Sequence, residues 1–365
     1  MLTLEKREQL VKDSEAWWDH SLKRPLITVT LKKKVAPKDV NGGKLLDILY
    51  DYTVPPKEVA KIYRDSIESK IYLGDAFPLF YMRSTGVLGA MLGQTYVINT
   101  EGSTRGTIWF QEMEGKELED IHPALTVDNE LFKRGVDILK AFQDEFGDEI
   151  ALGIPNLGGM MDIVESMRGA NNSLIDLYDN PDEVKRLNDD IYNAYEFAYK
   201  EYIKVISEKP FLGYTGWIPL LSQKPYFISQ CDFCCMIGQE QFSEFIEETL
   251  KKEANLIERS FYHLDGPGAV KHLDTIINCG FKGIQWVNGA GSKPIDDDAW
   301  SDIYRKVNSA GLLLQVYCYG SDQLKFIDHI VELLGTTEGL AFICTGTEEE
   351  REAFEDYLEK YNVPK

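Results

Sequence analysis

The pattern of apolar and polar positions predicts alternating helices and strands over most of the chain. Residues 4–20 form one amphipathic helix, which carries Leu10, Val11, Trp17 and Trp18 on its apolar side. Short apolar runs that are typical of buried strands follow it. Eight strand candidates begin near residues 26, 77, 150, 212 or 228, 260, 283, 312 and 340.

The spacing of the last four strand candidates indicates how they are connected. Their starts are 23, 29 and 28 residues apart, which fits one strand, one helix and two short loops. A helix between successive strands makes the strands parallel. We therefore predict an α/β fold, specifically a (β/α)8 barrel of the TIM type over residues 25–365. An N-terminal helical addition covers residues 1–24, and a doubly wound open sheet is the alternative architecture.

Local signals place several other elements. Residues 56–72 have a helical pattern, and residues 181–206 form a long helix that begins at a proline. Residues 94–112 alternate around a glycine turn, which predicts a β-hairpin. Thr347 and Glu350 predict a capping box at the start of the last helix.

One strand-helix-strand unit, residues 259–291, places chemical groups at the ends of its strands. The first strand ends in His263 and Asp265, and the second ends in Asn288 and Gly289. In a parallel sheet both ends lie at the same edge, where α/β enzymes carry their active sites. The alternative is structural: His263 would be a buried side chain bonded to a carbonyl group, and Asp265 would cap the following helix.

Composition narrows the classes of function. The chain has 365 residues, of which 44% are hydrophobic, so it can bury a large core. The formal net charge of −21 disfavours nucleic-acid binding, which depends on clustered Lys and Arg. No apolar stretch is long enough to span a membrane, and the charged N-terminus lacks a signal-peptide core, so we expect a cytoplasmic protein with no membrane partner. The six Cys are then thiols or metal ligands rather than disulfides.

Four stretches resemble the uroporphyrinogen decarboxylase superfamily. They are YLGDAFPLFYMRSTGVLGAMLG, GIPNLGGMMDIVESMRGANNSLIDLYDNPDEVKRL, FSEFIEETLKKEANLIERSFYHLDGPG and GLAFICTGTEEE, within residues 70–350. The second stretch is the most specific, because a glycine-bearing strand-to-helix segment precedes LYDNPDEV and a long helix. The resemblance implies a barrel, and the superfamily includes both the decarboxylase and the corrinoid-dependent methylcobamide:thiol methyltransferases.

The decarboxylase branch differs from this chain at its substrate-binding motifs. Its Arg-Gln-Ala-Gly-Arg stretch is absent, because Pro25 leads directly into the first strand, and its Gly-His-Gly loop is replaced by Cys344, Thr345 and Gly346. A substrate with many carboxylates needs a cationic pocket, and the sequence shows no basic cluster to form one. We therefore expect that porphyrinogen is not the substrate. Asp75 matches the decarboxylase's central Asp, which implies a catalytic role for it.

The methyltransferase branch is more similar to this chain. Its members carry a His-x-Cys pair after this strand and another Cys further along, and the three residues together bind zinc. The corresponding residues here are His263, Asp265 and Cys344, so the resemblance implies a zinc site with Asp in place of one Cys. His263 and Asp265 would then be catalytic as well as metal-binding. Cys318, at the neighbouring strand end, is the substitute ligand.

The resemblance also implies a corrinoid such as cobalamin, carried by a partner protein. We expect Trp286, Asn288, Gly289 and Tyr317 to line the surface that accepts this flat macrocycle, and the tryptophans of the N-terminal helix to help frame it. The function hypothesis is metal-assisted methyl transfer between the corrinoid and a small acceptor or donor. Decarboxylation of a smaller acid and non-catalytic binding of a tetrapyrrole or corrinoid stay open, as does a homodimer.

Overall fold

The computed structural model describes residues 1–34, 42–83, 86–99 and 107–365. Within these ranges the strands are short, and those of the central sheet are mostly buried. The strands are β1 (Leu26–Lys32), β2 (Lys70–Gly74), β3 (Leu79–Tyr81), β4 (Tyr96–Asn99), β5 (Thr107–Phe110), β6 (Ala151–Gly153), β7 (Tyr226–Gln230), β8 (Arg259–Asp265), β9 (Gly283–Val287), β10 (Leu313–Tyr319) and β11 (Leu340–Thr347).

Helices separate most of these strands. No helix in the described part of the chain is both long and apolar enough to span a membrane. The helices are α1 (Leu4–Trp18), α2 (Gly42–Tyr50), α3 (Pro56–Glu68), α4 (Val87–Met91), α5 (Glu130–Phe146), α6 (Met160–Arg168), α7 (Ala170–Asp179), α8 (Pro181–Ile206), α9 (Gln239–Phe245), α10 (Glu247–Leu256), α11 (Gly266–Ala269), α12 (Leu273–Ile277), α13 (Ser301–Ser309), α14 (Lys325–Leu334) and α15 (Arg351–Lys360).

The central sheet has the strand order β2-β1-β11-β10-β9-β8-β7. Every neighbouring pair is parallel except β1 with β2, which is antiparallel. Strand β3 pairs in parallel with β6, and Leu152 of β6 forms a parallel bridge to Tyr214. The predicted α/β fold with a mostly parallel sheet is therefore confirmed. Closure of these strands into an eight-stranded barrel stays a prediction.

Strand β2 corrects one prediction. The helical pattern extends to residue 72, but α3 ends at Glu68, and Lys70–Gly74 pair with residues 28–32 as a strand. Pairing with β1 gives this backbone hydrogen bonds to the sheet, so the tertiary context overrides the local pattern.

Other predicted elements are confirmed. Helix α8 begins at Pro181, strands β4 and β5 form an antiparallel hairpin, and Thr347 forms the predicted capping box with Glu350. The predicted turn of the hairpin at residues 101–103 lies outside the described residues.

The register of the parallel strands determines which side chains share a face of the sheet. His263, Gln285 and Gln315 are successive partners on β8, β9 and β10, and their side chains are hydrogen-bonded in a row. Side chains alternate along a strand, so the neighbouring residue Trp286 points to the other face, where it contacts Trp300. We call the face that carries His263 the inner face and the opposite one the outer face.

Helix α1 covers the edge of the sheet at which the parallel strands begin. Trp17 Nε1 donates a hydrogen bond to the carbonyl oxygen of Leu340 at 3.0 Å, and Trp18 Nε1 donates to that of Leu221 at 2.8 Å. Both rings contact Phe261 of β8. We call the other edge, where the parallel strands end, the carboxyl edge. The two tryptophans therefore do not frame the carboxyl edge, contrary to the expectation from the sequence.

A buried ion pair holds the start of β1 to the chain that follows β2. Arg24 donates hydrogen bonds to both carboxylate oxygens of Asp75, at 2.7 and 2.8 Å. Asp75 also accepts a hydrogen bond from the backbone N–H of Ile27, and Arg24 makes a second ion pair with Asp13 at 2.9 Å. The side chain of Asp75 is 2% exposed, so its charge depends on these partners rather than on water.

Replacing Asp75 by Ala should destabilise the fold strongly. The substitution leaves Arg24 buried without its main partner, so we expect the free energy of unfolding to fall by about 3–5 kcal/mol. Glu359→Ala, which breaks the more exposed pair with Lys365, should change it by less than about 1 kcal/mol. Urea denaturation followed by circular dichroism would measure both. Equal losses in the two variants would contradict this account of Asp75.

Candidate functional site

Three side chains that can bind a metal ion meet at the carboxyl edge. His263 and Asp265 lie at the end of β8, and Asp232 lies two residues after the end of the neighbouring strand β7. One ligand atom from each residue lies within 4.8 Å of the others. His263 Nε2 and Asp265 Oδ2 are 3.9 Å apart. Two carboxylates and one imidazole at this spacing can hold a divalent cation. We call Asp232, His263 and Asp265 the ligand group.

Hydrogen bonds orient the ring of His263. Its Nδ1 is bonded to Oε1 of Gln285, whose Nε2 donates to Oε1 of Gln315. Because Gln285 directs its oxygen at the imidazole, Nδ1 carries the proton and Nε2 keeps a lone pair for a ligand. Burial lowers the pKa of His263, although the charge of Asp265 opposes the shift. The imidazole is therefore neutral at neutral pH, which is the form that binds metals.

The two structural alternatives have different outcomes. His263 is largely buried and its Nδ1 is bonded to the amide carbonyl oxygen of Gln285, as its structural alternative expects, which leaves Nε2 for a ligand. Asp265 precedes α11 in the N-cap position, but its side chain accepts no capping hydrogen bond. Its carboxylate, which is 41% exposed, is thus available to bind a ligand.

An acidic cavity adjoins the ligand group. Its volume is about 600 Å³, and Asp162, Glu165 and Glu112 line it together with Asp232. Trp109 of the hairpin strand β5 forms part of its wall and is itself 59% exposed. The cavity therefore combines several carboxylates with an aromatic surface at the carboxyl edge.

Burial, together with the charges of neighbouring carboxylates, raises the pKa values of Asp232, Asp162 and Glu165. Desolvation, followed by the charges of Asp162 and Asp265, raises the pKa of Asp232 to about 7. Burial raises the pKa of Asp162, and burial followed by the charges of Asp162 and Glu112 raises that of Glu165. A bound cation would offset this repulsion and lower all three pKa values. The electrostatics of the cavity therefore favour a cation.

Cys344 lies at the carboxyl edge but faces away from the ligand group. Cys318 and Cys344 are partners on β10 and β11, and both are buried. Phe342, two residues before Cys344, contacts Phe326 of α14, so this side of β11 packs against helices. Because side chains alternate along a strand, the Cys344 thiol shares the outer face with Phe342. The structure brings neither cysteine to the ligand group, whose third member is Asp232.

Three of the four residues expected to bind the corrinoid line one cavity. Trp286, Asn288 and Tyr317 surround a volume of about 480 Å³ near the ends of β9 and β10. The hydroxyl of Tyr317 donates to the carbonyl oxygen of Trp217 at 3.2 Å, and the ring of Trp217 packs edge-on against His263 at 4.7 Å. Tyr317 and Trp217 thus form a chain of contacts from this cavity to His263.

The remaining predicted site residues, Gly289 and Asp75, lie elsewhere. Gly289 has a φ of 76°, and a Cβ atom there would lie 3.1 Å from Gly266 Cα, so its backbone approaches the loop after β8 closely. Asp75 is bonded to Arg24 near the start of β1, at the opposite edge of the sheet from His263. The structure therefore does not bring Asp75 to the ligand group.

The structure also corrects the expectation that the chain forms no basic cluster. Lys32, Lys70 and Arg83 line a further cavity of about 490 Å³. They are far apart in the sequence, and only the pairing of β1 with β2 and the course of β3 bring them together. Only the missing sequence motifs therefore disfavour porphyrinogen as the substrate.

Asp232 and Gln285 are site residues that the sequence pattern did not identify, although each carries a detectable signal. Asp232 is a carboxylate just after a predicted strand end, the same signal that identified Asp265. Gln285 is a polar residue within an apolar strand, and it is 0% exposed. A buried amide needs hydrogen-bond partners, so its presence there indicated a polar network.

Comparison with known proteins supports the fold. No family model matches the sequence, and no curated protein sequence matches it. A solved methyltransferase from Methanosarcina mazei is 12% identical over 97% of this chain and 99% of its own, with a TM-score of 0.63. Two mandelate racemase/muconate lactonizing enzymes are each 11% identical to this chain. The one from Jannaschia sp. CCS1 covers 89% of this chain and 56% of its own, with a TM-score of 0.37. The one from Sulfitobacter sp. covers 90% of this chain and 56% of its own, with a TM-score of 0.35. The chain therefore shares the fold of the Methanosarcina mazei methyltransferase.

Proposed function

We propose that this protein is a metal-dependent methyltransferase that moves a methyl group between a corrinoid and a small acceptor or donor. The observation that carries the proposal is the ligand group of Asp232, His263 and Asp265 at the carboxyl edge. The fold shared with a methyltransferase supports it, and the sequence resemblance to the corrinoid-dependent branch supports the choice of methyl carrier.

The residues present fit a divalent cation with an open coordination position. Catalytic zinc sites combine three protein ligands with a water or substrate in the fourth position, and the ligand group supplies three. One oxygen of the neighbouring Asp162 is buried and has no hydrogen-bond partner among the described residues, which indicates an unsatisfied negative site. We propose zinc as the ion. Oxygen ligands in place of thiolates make the site harder, so oxygen and nitrogen substrates become acceptable beside sulfur.

The protein's own residues would then prepare the methyl acceptor. A bound zinc ion would supply the Lewis acidity that favours the deprotonated form of an acceptor thiol, hydroxyl or amine. Gln285 fixes the orientation of the His263 ring, burial keeps the imidazole neutral, and Trp217 packs edge-on against it. Glu165 lines the acidic cavity with a raised pKa and can take the proton that the acceptor loses. The acceptor gains the methyl group, and cobalt keeps the electron pair of the broken bond.

The cavity between β9 and β10 is the proposed approach for the corrinoid. It is lined by Trp286, Asn288 and Tyr317 and adjoins His263 through Trp217. A flat macrocycle that brings its cobalt near the ligand group must enter from the carboxyl edge. We propose that a separate protein presents the corrinoid there. We propose that the strands close into one barrel over residues 25–365, with the helical addition 1–24 beneath it, and that the protein acts in the cytoplasm.

The second candidate function is decarboxylation of an acid smaller than porphyrinogen. The basic cavity of Lys32, Lys70 and Arg83 favours it, because a carboxylate substrate needs cationic partners. A decarboxylase of this kind would not depend on the ligand group. Loss of activity on removing the metal therefore separates the two functions.

Replacing His263 by Ala should abolish metal binding and methyl transfer. Loss of a direct ligand should lower zinc affinity by more than about 100-fold, because even outer partners of metal ligands contribute 10- to 100-fold. Gln285→Ala, which only frees the ring, should have an effect in that smaller range. Metal content after dialysis and the absorbance change of methylcobalamin would measure both effects.

Cys344→Ala is the matched control for this experiment. The Cys344 side chain is buried on the outer face, so the variant should keep its metal and its activity. Full metal content in the His263 variant would contradict the proposed site. Loss of metal in the Cys344 variant would instead favour His263, Asp265 and Cys344 as the ligands, the set that the sequence resemblance implies.

Zinc binding should depend on pH through Asp232. Its pKa of about 7 in the metal-free protein means that a proton must leave before the carboxylate can bind the cation at lower pH. We expect affinity to fall by about tenfold for each pH unit below 7 and to level off above it. Competition with a chromophoric chelator between pH 5.5 and 8 would measure the slope. Asp232→Asn should bind more weakly at pH 8 and lose the slope, and an unchanged slope would assign the proton to another group.

A further inference from the structure

The basic cavity lies at the same carboxyl edge as the ligand group but on other strands. Lys32 is the last residue of β1, Lys70 is the first residue of the antiparallel strand β2, and Arg83 follows β3 by two residues. Thr30 and Thr345, which are partners on β1 and β11, also line the cavity. Three cationic side chains and several hydroxyl groups, among them those of Thr30 and Thr345, therefore line a volume of about 490 Å³.

The arrangement of these cations is unfavourable in the absence of an anion. Lys32 and Lys70 are directly opposite each other in the antiparallel ladder, and like charges in that position destabilise a sheet. Desolvation and the like charge of Arg83 lower the pKa of Lys70. Among the residues that the structure describes, no carboxylate oxygen lies within 4.0 Å of the charged nitrogen atoms of these three side chains. All three residues are exposed, so water rather than a carboxylate of the described protein solvates their charges.

Two neighbouring lysines on the chain do have partners. Lys33 Nζ donates to the carbonyl oxygen of Glu68 at 2.7 Å, and Lys34 Nζ lies 3.9 Å from Glu349. The chain contains 60 Asp and Glu against 39 Lys and Arg. Even with this excess of acidic residues, the three cations that line the cavity have no carboxylate partner among the residues that the structure describes.

We propose that the basic cavity is an oxyanion-binding subsite that holds a carboxylate or phosphate group of the substrate. Lysine and arginine side chains form charge-assisted hydrogen bonds to either group, and the two threonine hydroxyls can donate as well. The assignment to the substrate rests on the proposed function. The binding of an oxyanion does not, because it follows from the cavity itself.

The position of the cavity adds a constraint on the shape of the substrate. Strands β1 and β8 are four steps apart in the sheet order, which at about 4.8 Å a step is roughly 19 Å along the sheet. Aromatic residues line the route between the two sites: burial and then the neighbouring Tyr81 raise the pKa of Tyr317, and Tyr317 is bonded to Trp217 beside His263. A substrate that reaches both sites therefore carries its anionic group apart from the group at the metal, and closure of the sheet into a barrel would make the straight distance between them shorter than the path along the sheet.

Calorimetric titration of the full-length protein with inorganic phosphate and, separately, with glutarate would test this proposal. We expect one site per chain for at least one of the two probes, and the preferred probe identifies phosphate or carboxylate as the natural group. Arg83→Met and Lys70→Gln should each weaken binding by about 10- to 100-fold, because each removes a charge-assisted hydrogen bond. Lys33→Ala is the matched control and should bind as the wild type does, because Lys33 does not line the cavity.

The outcomes separate this proposal from the proposed function. His263→Ala should lose its metal and keep anion binding, and Arg83→Met should keep its metal and lose anion binding. Absence of saturable binding of both probes to the wild-type protein would overturn the subsite, as would unchanged binding in both cavity variants that retain the wild-type melting temperature. Neither result would affect the metal measurements on His263, so failure of one proposal would not be mistaken for failure of the other.

Discussion

The candidate site depends on a row of buried hydrogen bonds from Gln315 through Gln285 to His263. Gln285 and Gln315 are 0% exposed, and a buried amide without partners costs free energy, so β8, β9 and β10 are held in the register that joins the three side chains. A slip of one residue would move His263 and Asp265 to the outer face. The register of β8, β9 and β10 therefore also sets the positions of the metal-binding side chains on β8.

Charge is distributed unevenly along the carboxyl edge. Carboxylates gather beside β7 and β8, where their pKa values are raised, and cations gather beside β1 and β2. Each cluster is repulsive by itself, and the protein tolerates both because the core beneath them is extensive. A metal ion would neutralise the carboxylates, and an anionic group of the substrate would neutralise the cations. The field between the two clusters would orient such a substrate before it makes close contacts.

Most of the fold could be predicted from the sequence, because long amphipathic helices and strand-helix spacing are local patterns. Helix α8 begins and ends where the pattern predicts, and strand β9 begins at the predicted residue 283. The site was only half predictable. His263 and Asp265 follow from a strand end, but the direction of Cys344 could not be inferred, because the first five residues of β11 are buried on both faces and carry no alternation. Only the register with β10 shows that its thiol faces outward. The basic cavity depends on β2, a strand that the helical pattern concealed.

The contacts of helix α1 have a consequence for the order of folding. Trp17 is bonded to Leu340, which is 323 residues further along the chain, and Glu15 forms an ion pair with Arg259. Contacts between residues so far apart close very long loops, which costs chain entropy that only the assembled sheet can offset. Helix α1 should therefore dock after β8 and β11 have paired into the sheet. Until then Trp17 and Trp18, whose rings both pack against Phe261, expose apolar surface to water.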